Sequence, residues 1–234
     1  MDEKTLSRYN SPEGATDYVG KFDRRWTERI NDWNEQRLLR RLLHSAGVEK
    51  VPGVALDLPC GCGRLYPIVR EVADRVVEGD WSFHMLLEAR LSASSGNSPG
   101  PASGFVRGTA LTLPFIDRAF DFVLSVRLCH HIGEHAERIQ YVWEVMRVSG
   151  KWLVFTYFDQ TSLKNRLREF NRRFNGKRAK RTLHPSEVAA LARSAGFDVV
   201  RSVPMSRLFS GHRYAVLRRK GDIPASAPER SLTT

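Results

Sequence analysis

Val54-Ala-Leu-Asp57-Leu-Pro-Cys60-Gly61-Cys-Gly63-Arg64 is an apolar run that ends in an acid and gives way to a turn of small residues. Bounded by Pro52-Gly53 and by that turn, so short a run reads as a buried strand. The small residues let the backbone turn and approach a ligand at the N-terminus of the helix predicted over 64–73. A second strand is predicted over 75–80, and its last residue, Asp80, stands 23 residues beyond Asp57. At that spacing a carboxylate ending the second strand reaches both hydroxyls of a ribose. A third segment, Gly108-Thr109-Ala110-Leu-Thr-Leu-Pro-Phe115, offers backbone donors and apolar side chains to an adenine edge. Acid, turn and second acid together specify a bound nucleoside.

The flanking sequence keeps alternating between strand and helix. Ser82 caps a helix running to Arg90, strands follow at 105–106 and 120–126, a helix at 134–147 and a strand at 151–157. A helix at 185–195 has Pro185 in its first turn and Gly196 after its last. Strands at 197–203 and 214–219 close the chain as an antiparallel pair, because only a short link joins them. This rhythm predicts an α/β domain over 51–220, a doubly wound and mostly parallel seven-stranded sheet with an antiparallel C-terminal pair. Ahead of it, Phe22, Trp26, Ile30, Trp33, Leu38, Leu39, Leu42 and Leu43 recur at helical spacing. They predict an amphipathic helix or helix pair over 22–46, within a helical cover of residues 1–50. The Gly-, Pro- and Ser-rich stretch 92–103 reads as a surface loop, and 221–234 as a disordered tail.

The 234 residues carry 37 Lys and Arg against 26 Asp and Glu, a net charge of +11. Segment 164–181 alone holds nine of the bases against Glu169, a net of +8, so the rest of the chain is only +3. Charge confined to one segment suits a local anionic partner, whether substrate, phospholipid head groups or nucleic acid, and equally suits a solvated helix face. Phe158, Leu163, Leu167, Phe170 and Phe174 interleave with those bases. Residues 160–181 are therefore expected to form a basic amphipathic cover, apolar toward pocket or membrane and cationic outward. An apolar content of 41% with 27% charged residues excludes a chain disordered throughout, a coiled coil and a collagen-like fibre. No run approaches the ~18 apolar residues of a membrane span, and the opening MDEKTLSRYN has no signal-peptide stretch, so a cytoplasmic location is expected. Three cysteines agree with a reducing compartment. Cys60, Cys62, Cys129, His130 and His131 match no common zinc spacing, and the thiols are expected to be free, with no metal bound.

In this order the three ligand segments resemble class I S-adenosylmethionine-dependent methyltransferases, and within them the UbiE-like small-molecule group. The resemblance runs from about Val54 to Arg219 and includes Phe120-Asp-Phe-Val-Leu-Ser-Val-Arg-Leu-Cys-His-His-Ile132, Glu144-Val-Met-Arg-Val148 and Ser186-Glu-Val-Ala-Ala-Leu-Ala-Arg-Ser-Ala-Gly-Phe197. It implies S-adenosylmethionine as cofactor. Asp57, Cys60, Gly61 and Gly63 would line its methionine part, Asp80 would grip the ribose and Trp81 would pack on the adenine. Thr109 and Ala110 would meet the adenine edge, with Val126 and Arg127 beneath the sulfonium. Apart from the resemblance, Tyr18, ahead of the predicted N-terminal helix, serves either as a lid over the cofactor or as a staple at the helix start. Three positions depart from the family pattern. Pro59 replaces its first glycine, Thr109 its acid at the adenine edge, and Ser149-Gly-Lys151 its Pro-Gly-Gly turn.

Methyl transfer from a sulfonium depends mainly on in-line positioning in a dry pocket, with a base needed only for a poor nucleophile. Arg127, His130 and His131 follow the fourth strand where open α/β sheets bind ligands. A histidine there serves either as base or in capping and packing, and Arg127 either holds an anionic acceptor or the cofactor carboxylate. The expected partner is a small-molecule acceptor, anionic or lipid-linked, with peripheral membrane contact through 164–181. A nucleic-acid methyltransferase is the alternative enzyme, although the chain lacks an Asn/Asp-Pro-Pro-aromatic motif and a Pro-Cys after the fourth strand. A non-catalytic domain binding RNA or membrane is the alternative outside enzymes. A nicotinamide dehydrogenase is disfavoured, because Gly61-Cys-Gly63-Arg-Leu-Tyr66 lacks the third glycine of that fingerprint.

Overall fold

The computed structural model describes residues 10–93, 100–175, 180–206 and 210–221. Two helices come first, α1 (Pro12–Arg24) and α2 (Trp26–Ser45). The first half of the sheet follows as β1 (Val51–Asp57), α3 (Tyr66–Val72), β2 (Ala73–Asp80), α4 (Phe83–Ala93) and β3 (Gly104–Arg107). Then come β4 (Phe120–Ser125), a 3-10 turn (Cys129–His131), α5 (His135–Val148), β5 (Ser149–Asp159) and α6 (Leu163–Asn175). The chain closes with β6 (Thr182–Leu183), α7 (Pro185–Ser194), β7 (Phe197–Pro204) and β8 (His212–Arg219).

The strands line up as β3-β2-β1-β4-β5-β8-β7. All neighbours as far as β5 are parallel, and β8 runs antiparallel to both β5 and β7. Ala55, Leu56, Phe122, Val123, Leu124, Leu153, Val154 and Phe155 are fully buried, as central parallel strands must be when helices cover both faces. On one face α5 supplies Tyr141, Val142, Val145 and Met146. On the other, α2 supplies Leu39, Leu42 and Leu43, and α3 supplies Ile68 and Val69. The strand order reverses between β1 and β4, and that reversal opens a crevice at the carboxyl ends of the strands.

Four local features differ from the sequence-based expectation. The N-terminal stretch begins at Pro12, because Ser11 caps it by accepting from the Gly14 N–H at 3.0 Å, and it breaks at Arg25, whose backbone is extended. Tyr18 therefore lies inside α1 and does not precede the first helix. Strand β5 starts at Ser149, so the Ser149-Gly pair is strand and not turn. The two-residue β6 pairs with Phe158 and Asp159 of β5 beyond the end of β4, giving eight strands of which seven lie on the continuous path. Two residues carry no periodicity by which to be read. Parts of the expected loop (94–99), basic segment (176–179) and tail (222–234) lie outside the described residues. Among the described residues no helix is long and apolar enough to cross a membrane.

Gly53, at the edge of β1, donates its N–H to Asp121 Oδ2 at 2.9 Å, and a Cβ there would stand 2.3 Å from that oxygen. Gly53→Ala is expected to destabilise the domain by about 1–3 kcal/mol through forced displacement of the carboxylate. Urea denaturation reads this as a lower midpoint; an unchanged midpoint would mean that the strand edge relaxes without loss.

Candidate active site

The crevice holds two cavities of about 240 and 140 Å³. Both are walled by Pro59, Asp80, Trp81 and Leu128, so they are the two ends of one cleft over β1, β2 and β4. Tyr18, Cys60, Gly61, Val126, Arg127, His130 and His131 line the larger end, and Thr109 and Ala110 the smaller. Asp57 and Gly63 line neither.

Asp80 sits at the junction. Its Oδ2 accepts from the Gly61 N–H at 3.0 Å and its Oδ1 from the Ser82 N–H at 2.8 Å, which fastens the glycine turn to the start of α4. Burial pushes its pKa up, and the amides of Ser82 and Gly61 work against the rise. Asp57 is buried at the end of β1, in register with Glu78 of β2, and neither of its carboxyl oxygens has a hydrogen-bond partner among the described residues. Burial, then the Glu78 carboxyl, raises Asp57 well above the usual carboxylate range, and burial lifts Glu78 to about 8. Gly61 and Gly63 hold φ of +55° and +77°, the left-handed region that glycine enters without strain. A Cβ on Gly63 would meet Ala89 and the Glu78 carboxyl at 3.4 Å. Gly63 thus seats the turn on α4.

The N-terminal helices are fastened across the larger end by one buried carboxylate. Glu35 of α2 accepts from Arg64 Nη2 at 2.7 Å, Arg127 Nε at 2.9 Å and the Tyr214 hydroxyl at 2.8 Å. Arg64 also pairs with Asp32. Burial alone would raise the Glu35 pKa, but the two guanidinium groups outweigh it and hold it below the usual range. Arg127 takes a left-handed φ of +64°, and its N–H donates to Thr156 Oγ1 at 2.7 Å. Arg127 lines the larger end of the cleft, and its guanidinium is turned onto Glu35 through Nε and Nη2. Glu35 carried no signal in the sequence beyond being one acid among several on an amphipathic helix.

Three imidazoles and Phe158 pack together on the far wall. The His130 ring lies 4.2 Å from His131, 4.5 Å from Phe158 and 4.8 Å from His212, centroid to centroid. Lys180 stands over the Phe158 ring at 4.6 Å. Burial, and then the neighbouring His131, His212 and cations, drives the His130 pKa down to about 2; burial and Arg127 drive His212 down to about 4. Both rings are neutral across the physiological range. His212 and Lys21, which also line this end, went unread in the sequence. Lys21 follows Tyr18 by three residues on α1, a same-face spacing visible only once the helix is known to start at Pro12. His212 begins the last strand with no pattern to mark it. Cys60, Cys62 and Cys129 are free thiols, and among the described residues no three His, Cys, Asp or Glu side chains are grouped to hold a metal ion.

Depressed imidazole pKa values make a test in acid. Below pH ~6.5 the unfolded chain protonates these rings and the folded chain does not. Stability therefore falls as pH drops from about 6.5, down to about 4 for His212 and about 2 for His130. Each ring contributes up to about 1.4 kcal/mol per pH unit in its window. His212→Gln is expected to flatten the slope of thermal midpoint against pH between 6.5 and 4; identical slopes would show that the ring charges freely in the fold.

Residues 56–154 match the family described as a methyltransferase domain. The chain carries a methyltransferase domain. It is 29% identical over 168 residues to a protein of Encephalitozoon cuniculi bearing a methyltransferase name, across 66% of this chain and 71% of that one. It is 30% identical over 120 residues to the demethylmenaquinone methyltransferase of Thermus thermophilus, across 50% of this chain and 53% of that enzyme. In fold it is similar to the magnesium protoporphyrin IX methyltransferase of Synechocystis crystallised with S-adenosylhomocysteine. That likeness has a TM-score of 0.71 and 18% identity, covering 93% of this chain and all of that one.

The cleft of this methyltransferase fits S-adenosylmethionine by its donor and acceptor set. An ionised carboxylate has about four acceptor sites. The amides of Gly61, Ser82 and Trp81 bear on Asp80, which leaves acceptor capacity on its carboxylate at the junction of the cleft.

Proposed function

We propose that the chain transfers the methyl group of S-adenosylmethionine to a small-molecule acceptor bearing an acidic hydroxyl or other anionic group. The observation that carries this reading is the polarity of the cleft, with Asp80 at its junction and with Lys21 and the neutral imidazoles of His130 and His212 among the residues lining its larger end. The named likeness to a demethylmenaquinone methyltransferase supports a small-molecule acceptor of the UbiE-like kind.

In this reading Asp80 accepts from the ribose hydroxyls, Trp81 packs on the adenine, Thr109 and Ala110 meet its edge, and Cys60, Gly61 and Val126 line the methionine part. When bound, the cofactor supplies an electrophilic methyl on a positively charged sulfur that departs as a neutral thioether. The protein's share is positioning and exclusion of water. Leu65, Met85, Val126 and Leu128 give the larger cavity its apolar wall. Lys21 places positive charge where an acceptor oxygen would sit, which favours its ionised, nucleophilic form. With pKa values of about 2 and 4, His130 and His212 are too weakly basic to be effective general bases near neutral pH. They shape and desolvate the acceptor end, and the acceptor proton goes to solvent before transfer.

Calorimetric titration with S-adenosylhomocysteine tests the cofactor half, with binding expected at micromolar strength or tighter, about −8 kcal/mol. Folded, cofactor-free protein that gives no heat would overturn it. The acceptor half is tested by transfer of labelled methyl to hydroxylated aromatic acids against neutral amines, with the acids expected to be methylated and the amines not.

A further inference from the structure

Helix α6 is fastened to the body by the face opposite its apolar stripe. Asn165 donates through Nδ2 to the Asp159 carbonyl at 2.8 Å and the Gly211 carbonyl at 3.2 Å, and its N–H meets Ser162 Oγ at 3.2 Å. Among the α6 side chains described, Asn165 is the buried one. At about 100° per residue, Leu163, Leu167 and Phe170 fall on one stripe, and Asn165 lies roughly opposite it. These three side chains are 49%, 54% and 58% exposed. A surface helix ordinarily turns such a stripe toward the core. Here it points outward, so of the two expected facings, pocket or membrane, the pocket is not the one it takes. Lys164 and Arg166 flank the stripe, Arg168 lies behind it, and Arg172 is ion-paired with Glu169 at 2.6 Å.

We propose that α6 is a docking surface for a lipid bilayer carrying anionic head groups. Charge complementarity selects an anionic partner, since segment 164–181 carries a net +8. The apolar stripe decides which one. Nucleic acid would engage the cations and leave Leu163, Leu167 and Phe170 in water, whereas a bilayer buries all three while the long flanking cations reach its head groups. The helix follows β5, and Lys180 beyond it stands over Phe158 at the imidazole wall. This inference does not depend on the transfer reaction and would survive its failure.

The test is co-sedimentation of the full chain with vesicles of phosphatidylcholine alone and of phosphatidylcholine mixed with phosphatidylglycerol. The protein is expected to sediment with the mixed vesicles, not with the neutral ones, and to be released as salt rises. Leu167→Asp with Phe170→Asp should weaken partitioning at least tenfold at an unchanged thermal midpoint. Arg166→Gln with Arg168→Gln, which leaves the stripe intact, should weaken it on mixed vesicles and move the salt midpoint down. Absence from the mixed vesicles, or full binding by the Asp pair, would overturn the proposal. So would salt-sensitive RNA binding, undiminished in the Asp pair, from a protein that ignores vesicles.

Discussion

Asp80→Ala is expected to lower affinity for S-adenosylhomocysteine by at least ~100-fold in calorimetric titration. Each hydrogen bond to a charged group contributes about 1.5–3 kcal/mol, and the bonds proposed from the ribose hydroxyls disappear together with the charge. The same carboxylate ties the Gly61 N–H to the Ser82 N–H, so the variant also loosens the turn that lines the larger cavity. Asp80→Asn keeps one acceptor oxygen without the charge and should fall between the two. Thermal melts separate lost binding from lost fold. Unchanged affinity in folded Asp80→Ala would remove this residue from the cofactor site and the ribose reading with it.

Glu35→Ala is expected to destabilise the protein by about 2–3 kcal/mol, because it strips the buried shared partner from Arg64, which keeps Asp32, and from the partly exposed Arg127. The exposed pair Arg40–Glu71, at 2.8 Å, is the control: Glu71→Ala should cost less than about 1 kcal/mol despite the similar distance. The difference lies in burial, not geometry. Since the Glu35 pKa is held below its unfolded value, the stability it contributes is present above pH ~4.5 and is lost as pH falls through the folded pKa. Glu35→Ala should therefore destabilise less in acid than at neutral pH. Chemical denaturation at both pH values measures this, and an equal loss at both would mean that Glu35 is not charged in the fold.

The order of elements was legible because hydrophobic period and turn chemistry are local. The run ending at Asp57, the glycine turn and Asp80 each announce themselves within a few residues, and their spacing implies a nucleoside cleft before any contact is known. Strands β7 and β8 were read as antiparallel from the length of their link alone, and the sheet has them so. Illegible were the elements whose signal is weak or non-periodic: the two residues of β6, the Ser11 cap and the break at Arg25.

The candidate site divides along the same line. Cys60, Gly61, Asp80, Trp81, Thr109 and Ala110 belong to segments that end at strand termini, so sequence by itself determined that they gather at one crevice. It determined equally that a cationic, amphipathic segment follows the fifth strand. Only the tertiary structure decided which partner each side chain takes. Glu35 and Arg127 are 92 positions apart and meet because folding lays α2 against the turn that follows β4. His130 and His212 meet because β8 is inserted beside β5. Helix α6 turns its apolar stripe outward because Asn165 finds two carbonyl groups on the body. Periodicity is written within one element, whereas the pairing of charges and the facing of a helix depend on elements that only folding brings together.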